Sequence, residues 1–346
     1  MLNNIVTKDN PLVGQSISEL ELFASSLGEK SFRGRQLFDW IYRQKIYDIS
    51  LMTDLSKDFR KKIEGIKVHP LEIVESNLSP SKNTQKFLFK IPSGEFVESV
   101  LMEEDGRVTV CLSTQVGCAV DCDFCATAKM GFIKNLTVGE IIDQFLILQS
   151  RTNSNITNVV FMGMGEPFLN YDNTIAAADL LHHPKGINMG AWRITISTAG
   201  IISKIKKYAQ EKHPYKLAVS LNATSESQRS GIMPLTKSHS FENLLKVSKE
   251  YAYNSRKRIT FEYVLLKNIN DRPSDAYRLK EMLSKTYCKL NIIPYNEIGG
   301  KYERPSDEKI QSFLDPLKDT LFPVTVRWSK GTDISAGCGQ LATRVL

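Results

Sequence analysis

Histidine is scarce in this chain, with five among 346 residues. Few imidazole ligands are therefore on offer to a metal. No apolar run approaches the roughly 18 residues that a membrane-spanning helix needs, so no membrane span is expected. The first residues, MLNNIVTKDNPL, lack a basic patch followed by an apolar stretch. That predicts no secretory leader and a cytoplasmic protein, in a compartment where thiols stay reduced. Internal repeats and low-complexity tracts are missing as well, which speaks against solenoids and disordered arrays. Hydrophobic residues make up 42% and charged residues 24%. That is ordinary globular usage and excludes collagen, coiled coil or disorder for the bulk of the chain.

What is present begins with charge. Lys and Arg number 45 against 38 Asp and Glu, a formal net charge of +7. The excess permits a polyanionic partner without requiring one. Lys204, Lys206, Lys207, Lys212 and Lys216 lie close in sequence, as do Arg256, Lys257 and Arg258. Each group alone reads more readily as a solvated face or turn; together with the net charge they lean toward a polyanionic partner.

The chain changes character near residue 95. Apolar residues at helical spacing predict helices over 16–27, 35–44 and 55–66. Residues 70–91 alternate like two strands around a turn. We therefore divide the chain into an accessory helical unit with a hairpin, 1–95, able to hold RNA, and a catalytic unit, 96–346. In the second unit, strand-like runs at 108–113, 158–162, 193–197, 217–221, 259–265, 289–293 and 324–328 alternate with helical stretches. Alternation of this kind predicts an α/β fold with a parallel sheet, a full or partial barrel whose site lies where strands end.

The cysteines carry the sharpest signal. Cys118, Cys122 and Cys125 stand in a C-x3-C-x2-C array after the first barrel strand. Three thiolates so close can converge on one metal centre. Their odd number and the reducing compartment argue against disulfides. Zinc would need a fourth ligand, and no histidine is near. An iron–sulfur cube held by three thiolates leaves one iron open for a ligand, the chemically useful feature.

At this point a family resemblance appears. The array resembles the radical S-adenosylmethionine (SAM) superfamily, in which a 4Fe–4S cluster binds and reductively cleaves SAM. VCLSTQVGCAVDCDFCATAKMGFIKNLT, FMGMGEP, ISTAGI, AVSLNA and SAGCGQLA follow in order, and together they resemble the RlmN/Cfr family of RNA adenine methyltransferases. The resemblance implies methylation of carbon 2 of an adenine in 23S rRNA, and for some members of a tRNA adenine beside the anticodon. It implies a partial (βα)6-type TIM barrel, with Cys118, Cys122 and Cys125 as cluster ligands. It further implies Cys338 as a methyl-carrying cysteine, Cys111 as the thiol that resolves a transient protein–RNA crosslink by thiol–disulfide chemistry, and Glu98 as a proton acceptor. Gly165, Glu166, Ser197, Ser220, Leu221, Asn222 and Asn296 align with SAM-contacting positions. Asn222 stands where the family often has His; it can hydrogen-bond but cannot act as a cationic acid. A monomer served by an electron donor such as flavodoxin is also implied. Carbon-8 methylation of the Cfr type stays open, as does a non-catalytic zinc protein that binds RNA. Cys288, in a strand context, reads as plain core.

Overall fold

The computed structural model describes residues 11–343. Its centre is a ten-stranded sheet built from two kinds of pairing. Strands β1 (Glu72–Leu78), β2 (Thr84–Lys90) and β3 (Phe96–Glu104) form an antiparallel meander. Strand β4 (Arg107–Cys111) returns antiparallel to β3 and then opens a parallel series. That series continues through β7 (Asn158–Phe161), β8 (Ile194–Thr198), β9 (Lys216–Ser220), β10 (Ile259–Leu265), β11 (Cys288–Pro294) and β12 (Val324–Val326). A separate pair, β5 (Gln115–Gly117) and β6 (Phe132–Asn135), flanks the cysteine array. Among the described residues the sheet does not close on itself, so the barrel is partial, as expected for the radical SAM fold class.

All seven predicted parallel strands are present. Helices Val138–Gln149, Tyr171–His182, Ile202–Glu211, Phe241–Ser255, Pro273–Leu283 and Asp307–Leu314 cover the sheet between them. Their starts follow local chemistry. Thr137 accepts from the Glu140 amide at 3.2 Å while Glu140 accepts from the Thr137 amide at 2.8 Å. This reciprocal cap satisfies two amides that a helix start leaves without intrahelical partners.

Helix Ile17–Ser26 opens on the same device, with Ser16 and Glu19 as partners. It crosses helix Phe32–Phe38 at Gly34, where an added Cβ would lie 2.2 Å from the Glu21 nitrogen. Only glycine permits that approach. The third predicted helix is short, Lys57–Lys62. The N-terminal unit docks through Asp143, which receives the Leu71 amide at 3.0 Å and contacts His69 Nδ1 at 2.5 Å. One apolar core runs from Leu12 to Leu341 through both regions. The sheet is continuous across residue 95, since Lys90 of β2 pairs with Phe96 of β3.

Candidate active site

The cysteine array lies in the turn between β5 and the four-residue helix Ala126–Lys129. The Cys118 amide donates to the Gly131 carbonyl at 2.9 Å, and the Cys125 amide to the Cys122 carbonyl at 3.0 Å. Asp123 pins the turn from outside through Lys129, Lys301 and the Tyr302 hydroxyl. Val120, Phe124, Met233 and Tyr295 form an apolar wall, and Cys118 and Cys122 pack against it. Burial pushes the Cys118 thiol up to about 12 and holds the Cys122 thiol well above its usual range. A free thiolate would be costly here, and a bound cation would reverse that cost.

The three sulfurs border one cavity of about 1050 Å³. Among the described residues, no three His, Cys, Asp or Glu side chains converge on a point where one ion could sit. A tetrahedral zinc ion would draw its sulfurs to about 2.3 Å from one centre. A four-iron cube instead takes each thiolate at its own corner and leaves one iron open, and the three-cysteine donor set fits it.

The C-terminal segment is tied directly to this turn. The Ala126 amide donates to the Gly339 carbonyl at 2.8 Å, and the Thr127 hydroxyl to the Leu341 carbonyl at 2.5 Å. Cys338 thereby reaches the same cavity as the array. Cys111, the last residue of β4, enters it from the barrel wall. Burial pushes the Cys111 thiol up to about 12 and Cys338 to about 11, while the Arg327 guanidinium opposes both shifts. One expectation is corrected here. All six cysteines are free, so no disulfide joins Cys111 to Cys338. Any bond between these sulfurs belongs to a different state of the chemistry.

The predicted SAM contacts fall into two groups. Gly165, Glu166, Ser197, Ser220 and Asn222 line the cavity. Gly165 holds φ +95°, and a Cβ there would meet the Gln115 Cβ at 2.5 Å. Glu166 accepts the Phe168 amide at 2.9 Å and the Ala199 amide at 2.7 Å, joining the loops after β7 and β8. Burial nevertheless raises its carboxyl above the usual range. Asn222 accepts the Val264 amide at 2.8 Å through Oδ1, which fixes the direction of its side chain.

Leu221, Asn296 and Glu98 do not line the cavity. Leu221 is fully buried, and its carbonyl receives Arg229 Nε at 3.1 Å. Asn296 Nδ2 instead holds the Cys338 carbonyl at 2.9 Å and Ser329 Oγ at 2.8 Å. Glu98 lies behind the C-terminal segment, paired with Lys86 at 2.8 Å and accepting the Ala342 amide at 3.0 Å. Burial raises its carboxyl despite that lysine. Cys288 sits in the core, as expected.

Three functional candidates escaped sequence reasoning. Glu262 of β10 accepts the Ser197 hydroxyl at 3.1 Å, and Arg327 stands 3.9 Å from its other oxygen. Arg327 faces Cys111 and Cys338 as well. Arg229 is wholly buried and donates to Leu221, Ala199 and Ser220 carbonyls and to Thr236, binding three loops together. The available signal was a charge at the C-terminal end of a barrel strand, where catalytic residues gather. Arg327 occupies such an end, directly after β12, whereas Glu262 sits at the middle of β10 and gave no such signal.

Comparison with known proteins matches this geometry. Residues 11–68 match the ribosomal RNA large subunit methyltransferase N-terminal domain, and residues 112–279 match the radical SAM superfamily. The chain is 42% identical over 338 residues to a protein of Aquifex aeolicus, covering 96% of this chain and 97% of that one. It is 41% identical over 323 residues to one from Petrotoga mobilis, covering 93% of each. Both are named probable dual-specificity RNA methyltransferase RlmN. The crystal structure of a radical SAM methyltransferase from Sphaerobacter thermophilus superposes with a TM-score of 0.92 at 40% identity, covering 96% of this chain and 98% of that one. A 4Fe–4S cluster and SAM come with the superfamily, and the chain belongs to the RlmN family of radical SAM RNA methyltransferases.

Proposed function

We propose that this enzyme methylates carbon 2 of one adenine in 23S rRNA and of an adenine beside the tRNA anticodon, using Cys338 as a methyl carrier. The observation that carries the reading is the tie between Ala126 and Gly339. It holds the GCG segment against the cysteine array, so that carrier and array share one cavity with Cys111. The relatives' names support the double substrate.

Cys118, Cys122 and Cys125 would hold the cluster, and Gly165, Glu166, Ser197, Ser220 and Asn222 would surround SAM. When bound, the pair supplies methyl groups and a hydrogen-abstracting radical. Cys338 would accept one methyl group on sulfur; that methyl would lose a hydrogen atom to the radical and bond through its carbon to the adenine, the odd electron of the adduct passing back to the cluster. Proton loss and attack by the Cys111 thiolate on the Cys338 sulfur then release the methylated base, leaving a disulfide that a reductant reopens. Glu98 is assigned the proton. Its present partners, Lys86 and Ala342, make it an anchor of the C-terminal segment until that segment moves. Leu221 and Asn296 act through backbone and segment positioning. We further assign a flavodoxin-type electron donor, a monomeric state and a cytoplasmic location.

The test is nucleoside mass spectrometry against authentic standards. The gene is expressed in a bacterium lacking its own carbon-2 methyltransferase, and 23S rRNA and tRNA are digested separately. 2-Methyladenosine in both RNAs is the expected result. 8-Methyladenosine, an isomer separated by retention time, would move the enzyme to the Cfr type.

A further inference from the structure

The cavity does not end at the cysteines. It continues through the barrel to the starts of the parallel strands, where Arg107, Lys216, Arg258 and Lys289 line it. Alternation along each strand puts them there. Side chains at every second position of a strand face one side. Lys216 shares its face of β9 with Ser220, and Arg107 shares its face of β4 with Cys111. In register, Lys216 stands beside Thr195, and Lys289 beside Thr260. TIM barrels ordinarily fill this space with branched apolar layers. Here hydroxyls and cations stand side by side below the catalytic residues.

Among the described residues, none of these four cations has a carboxylate within ion-pair distance. Arg107 reaches only the Thr109 hydroxyl, at 3.2 Å. The two carboxylates at the rim are engaged elsewhere, Glu104 by Lys330 at 2.9 Å and Glu103 by the Thr152 hydroxyl at 2.6 Å. Glu262 lies deeper, beside Arg327 and Ser197. Burial and the neighbouring cations hold the Lys216 and Lys289 ammoniums below their usual range. Like charges kept together without partners are costly, and an anion relieves that cost. Exposed Tyr287 lines the cavity here, and exposed Trp192 stands just outside its lining. Arg258 lies 5.1 Å from the Tyr287 ring centroid, and Lys216 5.8 Å from that of Trp192. Cations interleaved with exposed rings suit a nucleotide, with its phosphates on the charges and its base on a ring.

We propose that the base of the barrel is a second ligand site, distinct from the cysteine end, at which Arg107, Lys216, Arg258 and Lys289 bind the phosphates of a nucleotide. The ligand is either a stretch of RNA backbone or a free nucleotide. SAM does not suit it, because its sulfonium is cationic. The site is independent of which adenine carbon is methylated.

The test compares the full chain with a Lys216→Gln, Lys289→Gln double variant, and with Arg258→Gln alone should the double variant fold poorly. Pyrophosphate binding is measured by calorimetry, and binding of a short single-stranded oligoribonucleotide by anisotropy across a salt series. Pyrophosphate should bind the parent, and about tenfold or more weaker to the variants, since charge-assisted contacts are lost. If RNA occupies the site, the double variant also lowers the slope of log affinity against log salt by ~1.4, about 0.7 per lost single-strand contact. Loss of pyrophosphate binding with an unchanged RNA slope assigns the site to a free nucleotide. Variants that match the parent for both probes would overturn the proposal.

Discussion

Asn296 grips the backbone of Cys338: its Nδ2 donates to the Cys338 carbonyl at 2.9 Å and to Ser329 Oγ at 2.8 Å. A side chain at the end of the sixth parallel strand thus sets the position of the C-terminal segment that bears Cys338. Asn296→Ala should lower RNA methylation by about tenfold, the equivalent of one lost net hydrogen bond of ~1 kcal/mol or slightly more. Iron content should be unchanged, because the cluster thiols do not depend on this contact. Activity assays paired with iron analysis of the same preparation check both halves.

Arg327 is the cation shared by Glu262, Cys111 and Cys338. Arg327→Gln leaves Glu262 buried with its Oε1 lacking any hydrogen bond. Orphaning such a group costs on the order of 1–3 kcal/mol, discounted here because the Arg327 side chain is about a third exposed. Methylation should fall further than stability does. A Glu262→Gln, Arg327→Gln double variant should regain stability but not activity. Denaturant titration beside single-turnover assays separates the two effects.

Gly165→Ala is expected to disrupt the loop after β7. The residue sits at φ +95°, and the added methyl would meet the Gln115 side chain and backbone at 2.5–2.7 Å. Strain of this kind costs about 1–3 kcal/mol. It displaces Glu166, whose own amide donates to Gln115 Oε1 at 2.8 Å. SAM affinity measured by calorimetry should drop, with RNA affinity preserved.

Buried thiols predict an alkaline limit. Burial holds Cys288 as a thiol up to about 12, whereas in the unfolded chain it ionises near 8.5. A folded pKa raised in this way contributes stability that is fully present below about pH 8.5 and lost as pH rises toward 12. Denaturant midpoints should therefore fall between pH 8 and pH 10.5, and Cys288→Ala should fall less steeply. Equal slopes for parent and variant would rule out this thiol as the cause.

Much of this molecule was legible in its sequence, for identifiable reasons. The parallel strands read clearly because each is a short apolar run between helical patterns. The cysteine array, the carrier segment and the GMGEP loop were equally plain. Strand β3 was missed. The Asp105–Gly106 turn, with both residues at positive φ, was a hairpin signal passed over in favour of a boundary at 95. The helix Glu226–Ile232 was missed too. Seven residues carry little periodicity, and its importance lies in one buried arginine. Asn296 and Glu98 illustrate the harder limit. Which neighbour each side chain would bond depends on the path of a C-terminal segment some 40 to 240 residues away.

The central claim is that Cys338 delivers the methyl carbon and Cys111 releases the product. It is tested most directly by purifying the Cys111→Ala protein from cells, digesting it with nuclease and trypsin, and weighing the peptide that carries Cys338. The account predicts a nucleotide remnant covalently attached at Cys338, absent from the Cys111→Ala, Cys338→Ala double variant. An unmodified Cys338 peptide from a variant that still methylates its RNA would contradict it.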